Sequence, residues 1–320
     1  MRKVLTIIAA ILVVLGVVFA LGPRPSSDAT VTFDPATIGA DPDAYLARSE
    51  AGVAGIRDGL QKEIVWAFPN SKSKTPWSVV YVHGFSASKG EVRPLPDAVA
   101  AALGANLFYT RLTGHGRDGQ AMLDGSVAAW ANDYAEALAI GRLIGERVIV
   151  IATSTGAGIA TLEAAGPGGG ENVAAHVFIS PNFGIKDSSA FVLTLPWGRQ
   201  IAELVAGKER SFKPVNEAHG RLWTSTYPTA ALLPMAMLTR MAAGSPVERV
   251  TAPALFILSD NDKVVRPEVS RLIAARWGGR GDIIAITGSD DPYNHVIAGD
   301  ALSPSTTADI TRQILAWLRR

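Results

Sequence analysis

From Glu63 onward the chain alternates short apolar runs with longer stretches of helical periodicity. Runs rich in β-branched and aromatic residues predict strands at 63–67, 78–82, 106–110, 147–151, 174–179, 254–259 and 282–287. Between them, apolar positions recurring every three or four residues predict helices at 93–103, 127–144, 155–165, 267–277 and 306–319; the last carries Ile310, Ile314, Leu315 and Leu318 on one stripe. Strand alternating with helix implies an α/β fold, a mostly parallel sheet covered on both faces. The near-continuous run from Arg147 to Ala152 suits a strand buried on both sides. Between Ser180 and Ala254 the rhythm stops for a stretch far longer than a βα connection needs. It reads as a cap inserted over one end of the sheet, about residues 184–248, or else as a helical subdomain that only packs.

The N-terminus follows a different pattern. Arg2 and Lys3 precede an uncharged apolar run from Val4 to Gly22, and Pro23, Arg24 and Pro25 end it. As a helix at 1.5 Å per residue, the run reaches about 28 Å, close to the thickness of a bilayer core. It is either a membrane anchor or a cleaved signal peptide, for which Ala20-Leu21-Gly22 supplies suitably small residues. Positive residues before the run place everything after Gly22 across the membrane, extracytoplasmic and periplasmic in a bacterium. Residues 23–61 read as a linker and N-terminal extension, with one or two modest helices between Asp41 and Leu60; residues 62–320 form the folded domain.

Composition narrows the functions. With 30 Lys+Arg against 29 Asp+Glu, a formal charge of +1 and no block of like charges, the basic footprint of a nucleic-acid binder is missing. The absence of cysteine excludes a disulfide framework, a cysteine-ligated metal and a thiol nucleophile.

The chemistry centres on Ser154. The strand Val148–Ala152 runs through Thr153-Ser154-Thr155-Gly156 into a small-residue helix. Such a strand-to-helix bend lifts a serine hydroxyl above the carboxyl edge of the sheet, as in the G-x-S-x-G turn, although Ala152 stands where that pattern has its first glycine. The competing use of the same residue is an ordinary helix N-cap. Gly156 and Gly158 also spell part of a dinucleotide fingerprint, but Thr161 occupies the third glycine position and no acidic residue ends the next strand.

A serine needs a base, and the base needs a carboxylate to fix its tautomer. His295 lies in a polar loop after the final predicted strand, and Asp262 lies just past the preceding one, with Asp260 a nearby alternative. All three sit in loops leaving the carboxyl ends of strands, where open α/β sheets place their sites. Stabilising an oxyanion takes two backbone amides: that of Thr155, and that of Phe85 in His83-Gly84-Phe85. His83 and His115 read as loop braces, His176 as a core residue, and His219 as surface or pocket.

His83-Gly84-Phe85, Gly114-His115-Gly116, the turn at Ser154, Asp262 before Val264-Val265, and the late His295 together resemble the α/β-hydrolase superfamily. Within it they are similar to the carboxylesterase, monoacylglycerol lipase and serine aminopeptidase S33-like group, over roughly residues 62–320. The resemblance implies an eight-stranded, mostly parallel sheet with an inserted cap. The expected activity is hydrolysis of a small-molecule carboxylic ester, medium-chain or monoacylglycerol-like, through an acyl-enzyme, with no metal or organic cofactor required. An aminopeptidase or acyltransferase would use the same three residues, and a non-catalytic binding scaffold would use none of them. Phe191, Trp197, Trp223, Tyr227, Met235 and Met237 predict an apolar wall in the cap, while Glu203, Glu209 and Glu217 keep open a site that captures an amine.

Overall fold

Alternation of side chains across the sheet decides where the core lies. In β4 (Gly145–Thr153), Val148, Val150 and Ala152 face one apolar layer while Ile149 and Ile151 face the other. The structure is a computed structural model and describes residues 2–170 and 172–320. Among them the main sheet has seven strands in the order β1-β3-β2-β4-β5-β8-β9. These are β1 (Glu63–Val65), β2 (Thr75–Val82), β3 (Asn106–Tyr109), β4, β5 (Val173–Ile179), β8 (Ala254–Leu258) and β9 (Gly281–Ala285). Only β1 runs antiparallel to its neighbour; every other pairing is parallel. All seven coincide with strands predicted above.

Helices cover both faces, as a parallel sheet buried on two sides requires. On one side lie α4 (Val127–Ile144), α5 (Thr155–Ala164), α8 (Leu232–Ala243) and α9 (Pro267–Arg276). On the other, α3 (Leu95–Leu103) and α10 (Pro304–Leu318) bury Leu95, Val99, Ile310, Ile314 and Trp317. Local signals set the ends of these helices. Ser126 caps α4 by accepting the Ala129 amide at 3.0 Å, and α3 stops on Gly104, whose φ of 61° is left-handed.

The sheet has seven strands where eight were expected. The chain ahead of β1 runs along α4 instead of adding to the sheet: the amides of Thr32 and Phe33 both donate to Asn132 Oδ1, at 2.8 and 2.7 Å. Asp34 and Asp41 cap the turns that follow them, and Pro35 and Pro42 come directly after. Capping carboxylates and prolines start helices and remove the donors a ladder would need. What forms is a 3-10 turn, Pro35–Thr37, and α2 (Pro42–Ala51). From α2, Glu50 accepts two hydrogen bonds from the Arg111 guanidinium, which fastens this extension to the loop after β3.

Between β5 and β8 the chain forms a 3-10 turn (Ser188–Thr194), α6 (Gly198–Ala206), the hairpin of β6 (Glu209–Ser211) with β7 (Thr226–Pro228), α7 (Glu217–Leu222) and then α8. At the N-terminus α1 (Arg2–Ala20) has no buried residue and is long and apolar enough to cross a membrane.

Candidate active site

β4 ends on Thr153, and α5 begins on Thr155. Ser154 between them takes φ 50°, ψ −115°, a conformation a non-glycine residue holds only when its surroundings impose it, at a cost of about 1–3 kcal/mol. Its N–H donates to the Ile179 carbonyl at 3.0 Å, and its own carbonyl accepts the Asn182 amide at 3.0 Å, so the end of β5 grips it from both sides. Gly156 permits the close passage of α5 over β2: a Cβ there would lie 2.4 Å from the Val82 carbonyl oxygen. Ala152 meets no such limit. It sits in the ladder between Val82 and Phe178, its φ is not positive, and a methyl fits where the usual pattern has glycine.

His295 Nε2 lies 3.1 Å from Ser154 Oγ, and His295 Nδ1 lies 2.8 Å from Asp262 Oδ2. The second oxygen of Asp262 accepts the amides of Val264 and Val265 at 2.7 and 2.9 Å, so the loop after β8 aims this carboxylate at the imidazole. Asp260 is turned outward and forms an exposed pair with Arg271. Asp291 anchors the other side of the histidine loop, its Oδ2 accepting the amides of His295 and Val296, both at 2.9 Å. Burial works against a protonated His295, but the carboxylates of Asp262, Glu91 and Asp291 outweigh it and hold the imidazole above its ordinary pKa. With Nδ1–H donating to Asp262, Nε2 is left to accept the serine proton.

Ser154, Thr155, Phe85 and His295 all border one cavity of about 380 Å³, while Asp262 is buried behind the histidine. Thr155 is the first residue of α5, so its amide has no partner within the helix. The Phe85 loop is braced from below by His83, whose Nδ1–H donates to the Gly84 carbonyl at 2.8 Å while Nε2 accepts the Leu112 amide at 3.1 Å. Burial, with His115 close by, pushes the His83 pKa well down and keeps the ring neutral, as this pair of bonds demands. His115 packs against His83 and Phe85, and burial lowers its pKa to about 4. His176 is buried between Phe178 and Trp277, far down β5 from the serine. His219 borders the cavity and stacks on Phe212.

Glu91 escaped the sequence reading. Its Oε2 accepts the Gly84 amide at 2.7 Å and the Tyr81 hydroxyl at 2.9 Å, and that hydroxyl lies 3.1 Å from Thr153 Oγ1. Burial pushes its pKa up to about 7, against these two bonds and the nearby His295, which favour the charged form. An acid in a Lys-Gly-Glu-Val loop looks like surface; only the closure of that loop onto β2 buries it.

Of the six residues expected to form an apolar wall, Trp223, Tyr227 and Met235 border the cavity. Met237 is buried in the core, Phe191 faces outward, and Trp197 packs against the end of α1. Glu203, Glu209 and Glu217 all lie off the cavity, Glu203 paired with Arg199. Among the described residues no three or more His, Asp or Glu converge as metal ligands would.

Comparison with known proteins agrees with this architecture. The chain is 28% identical over 192 residues to the thermostable monoacylglycerol lipase of Bacillus sp. (strain H-257), a span covering 60% of this chain and 73% of the relative. In structure it is similar to a metagenome-derived lipolytic enzyme of the LipS and LipT pair, with a TM-score of 0.66 at 20% identity over 82% of this chain and 99% of the other. It is also similar to the monoacylglycerol lipase of Paleococcus ferrophilus, with a TM-score of 0.57 at 18% identity, covering 81% and 98%. The profile of the alpha/beta hydrolase family matches residues 79–300, a span that takes in the central strands, the insertion and the loops carrying Ser154, Asp262 and His295, and on that match the chain belongs to the alpha/beta hydrolase family.

Proposed function

We propose that this chain is a serine hydrolase that cleaves carboxylic esters through an acyl-enzyme. The unbroken series Ser154 Oγ, His295, Asp262 at the wall of an apolar cavity carries the reading. Ser154 attacks the ester carbonyl as His295 Nε2 takes its proton, and Asp262 stabilises the resulting imidazolium. The carbonyl oxygen, now charged, turns toward the amides of Phe85 and Thr155. His295 then passes the proton to the departing alcohol, and a water activated by the same imidazole releases the acid and frees the serine. Residues 184–248 act as the cap, supplying Trp223, Tyr227, Leu232 and Met235 to the acyl site. Residues 1–22 tether the enzyme to a membrane or direct it across one, with the catalytic domain on the extracytoplasmic side.

The lining favours an ester over a substrate amine. The two carboxylates that border the cavity, Glu91 and Asp291, already accept hydrogen bonds from Gly84 and Tyr81, and from His295 and Val296. Capture of an ammonium group would have to compete with those bonds. The similarity to a monoacylglycerol lipase supports a single acyl chain as the recognised group. Across p-nitrophenyl esters of increasing chain length, kcat/KM rises by up to ~0.8 kcal/mol per buried methylene until the cavity is full. Amino-acid arylamides are cleaved far more slowly. A flat chain-length profile, or faster arylamide cleavage, contradicts the ester assignment.

The histidine environment sets the acid limb of activity. As pH falls through the raised pKa of His295, imidazolium accumulates and cannot accept the serine proton, so kcat/KM declines from a higher pH than an ordinary histidine would dictate. Three carboxylates face this ring: Asp262, Asp291 and Glu91. Glu91→Gln removes one of them and keeps a carbonyl to accept the Gly84 amide, so the limb moves to lower pH. A lowered kcat with an unmoved limb would show that Glu91 acts only by holding the loop.

A further inference from the structure

The end of α1 is bonded to the segment inserted between β5 and β8. The Trp197 indole donates to the Val18 carbonyl at 3.0 Å, and the Trp197 amide donates to the Pro23 carbonyl at 2.9 Å. Gly22 lies directly under the ring, where a Cβ would approach Trp197 Nε1 to 2.1 Å, so only glycine fits. Trp197 is held at φ 61°, a strained backbone for a bulky residue, just before α6 starts. An indole that sits where an apolar helix ends occupies the depth at which tryptophans gather at a bilayer surface.

From that point α6 presents Leu204 and Val205, 86% and 80% exposed, and the preceding 3-10 turn presents Phe191, 62% exposed. Leu204 is about 10 Å along the helix from Trp197. Beside Val205 a second cavity of about 290 Å³ opens between the 3-10 turn and α6, bordered also by Val192, Ile201, Leu232 and Met235. Leu232 and Met235 also border the Ser154 cavity, so the two spaces share a wall.

We propose that the face formed by the 3-10 turn and α6 docks on the surface of the bilayer that α1 enters, and that the second cavity receives the acyl chain of a lipid-borne ester directly from it. The occupant is the membrane itself: α1 fixes which surface lies beside α6, and three large apolar side chains otherwise stand in water at the place where the chain leaves the lipid. The proposal rests on α1 being a membrane segment and on Ser154 being the nucleophile.

Because the chain has no cysteine, single labelling sites can be introduced cleanly. The full chain carrying Leu204→Cys, Leu12→Cys or Glu146→Cys, each labelled with an environment-sensitive fluorophore, is reconstituted into phosphatidylcholine and phosphatidylglycerol vesicles containing doxyl-labelled lipid. Glu146 is exposed at the amino end of β4, away from the cap. The expected result is lipid quenching at 204 and at 12 but not at 146. Quenching at 12 without quenching at 204 overturns the docking, as does a label at 204 shielded from water yet not reached by lipid, which would indicate a protein partner. No quenching at 12 removes the membrane anchor, and the docking with it. None of these outcomes depends on catalysis, so they stand apart from the hydrolase reading. In the same vesicles, Phe191→Asp combined with Leu204→Asp, neither of which borders either cavity, lowers hydrolysis of an embedded long-chain monoacylglycerol roughly tenfold while leaving a soluble p-nitrophenyl ester within about twofold. Equal effects on both substrates contradict the proposal.

Discussion

Ser154→Ala lowers kcat on a p-nitrophenyl ester by roughly 10⁵- to 10⁶-fold while leaving the melting temperature close to that of the parent. The size follows from what the residue supplies. Its hydroxyl lies 3.1 Å from His295 Nε2, and without it the remaining rate is expected to come from the proposed oxyanion amides and binding alone. The fold loses little, because the bonds that grip position 154 run through its backbone to Ile179 and Asn182, and alanine keeps them. A variant retaining more than a few per cent of the parent rate, after contaminating esterase is removed, contradicts the assignment.

Asp262→Asn lowers kcat by about 10³- to 10⁴-fold, whereas Asp260→Asn leaves it nearly unchanged. The two positions are two residues apart, yet only Asp262 faces His295, at 2.8 Å. An asparagine amide there donates to Nδ1 and forces the proton onto Nε2, the tautomer that cannot accept from serine. The amides of Val264 and Val265 still find a carbonyl oxygen, so the loop is expected to stay in place. Asp260 pairs with Arg271 in solvent, an interaction worth about 0–1 kcal/mol to stability, and its carboxylate is turned away from His295. Parallel kcat measurements on the two variants decide the matter; a larger loss at 260 reverses the assignment.

The sheet was legible because a strand buried on both faces leaves an unmistakable apolar run, as Val148–Ala152 does, and because the turn that follows needs small residues. The partners of Ser154 were legible through chain order and strand ends, and the proximity of Val264 and Val265 to Asp262 hinted at how the carboxylate is aimed. Hydrophobic patterning reports that a residue is buried but not against what. Met235 and Met237 read alike in sequence and both pack into the core, yet only Met235 also borders the cavity. Three-residue strands such as β6, wholly exposed, leave no periodicity to detect. Glu91 was missed, and Trp197 was expected in the cavity wall instead of against α1, for a related reason. Their roles depend on contacts with Gly84 and Val18 that only the folded chain creates, and a charged or aromatic residue in a loop carries no mark of such a partner.

An acyl-enzyme on Ser154 requires an activated serine, and that serine can be trapped with a reagent that phosphonylates it. Treated with a fluorophosphonate, the enzyme is expected to gain the mass of one phosphonyl group, mapping to the peptide that contains Ser154, with parallel loss of esterase activity. Ser154→Ala remains unlabelled. Stoichiometric labelling at another residue, or an unlabelled parent that still turns over esters, would contradict the account.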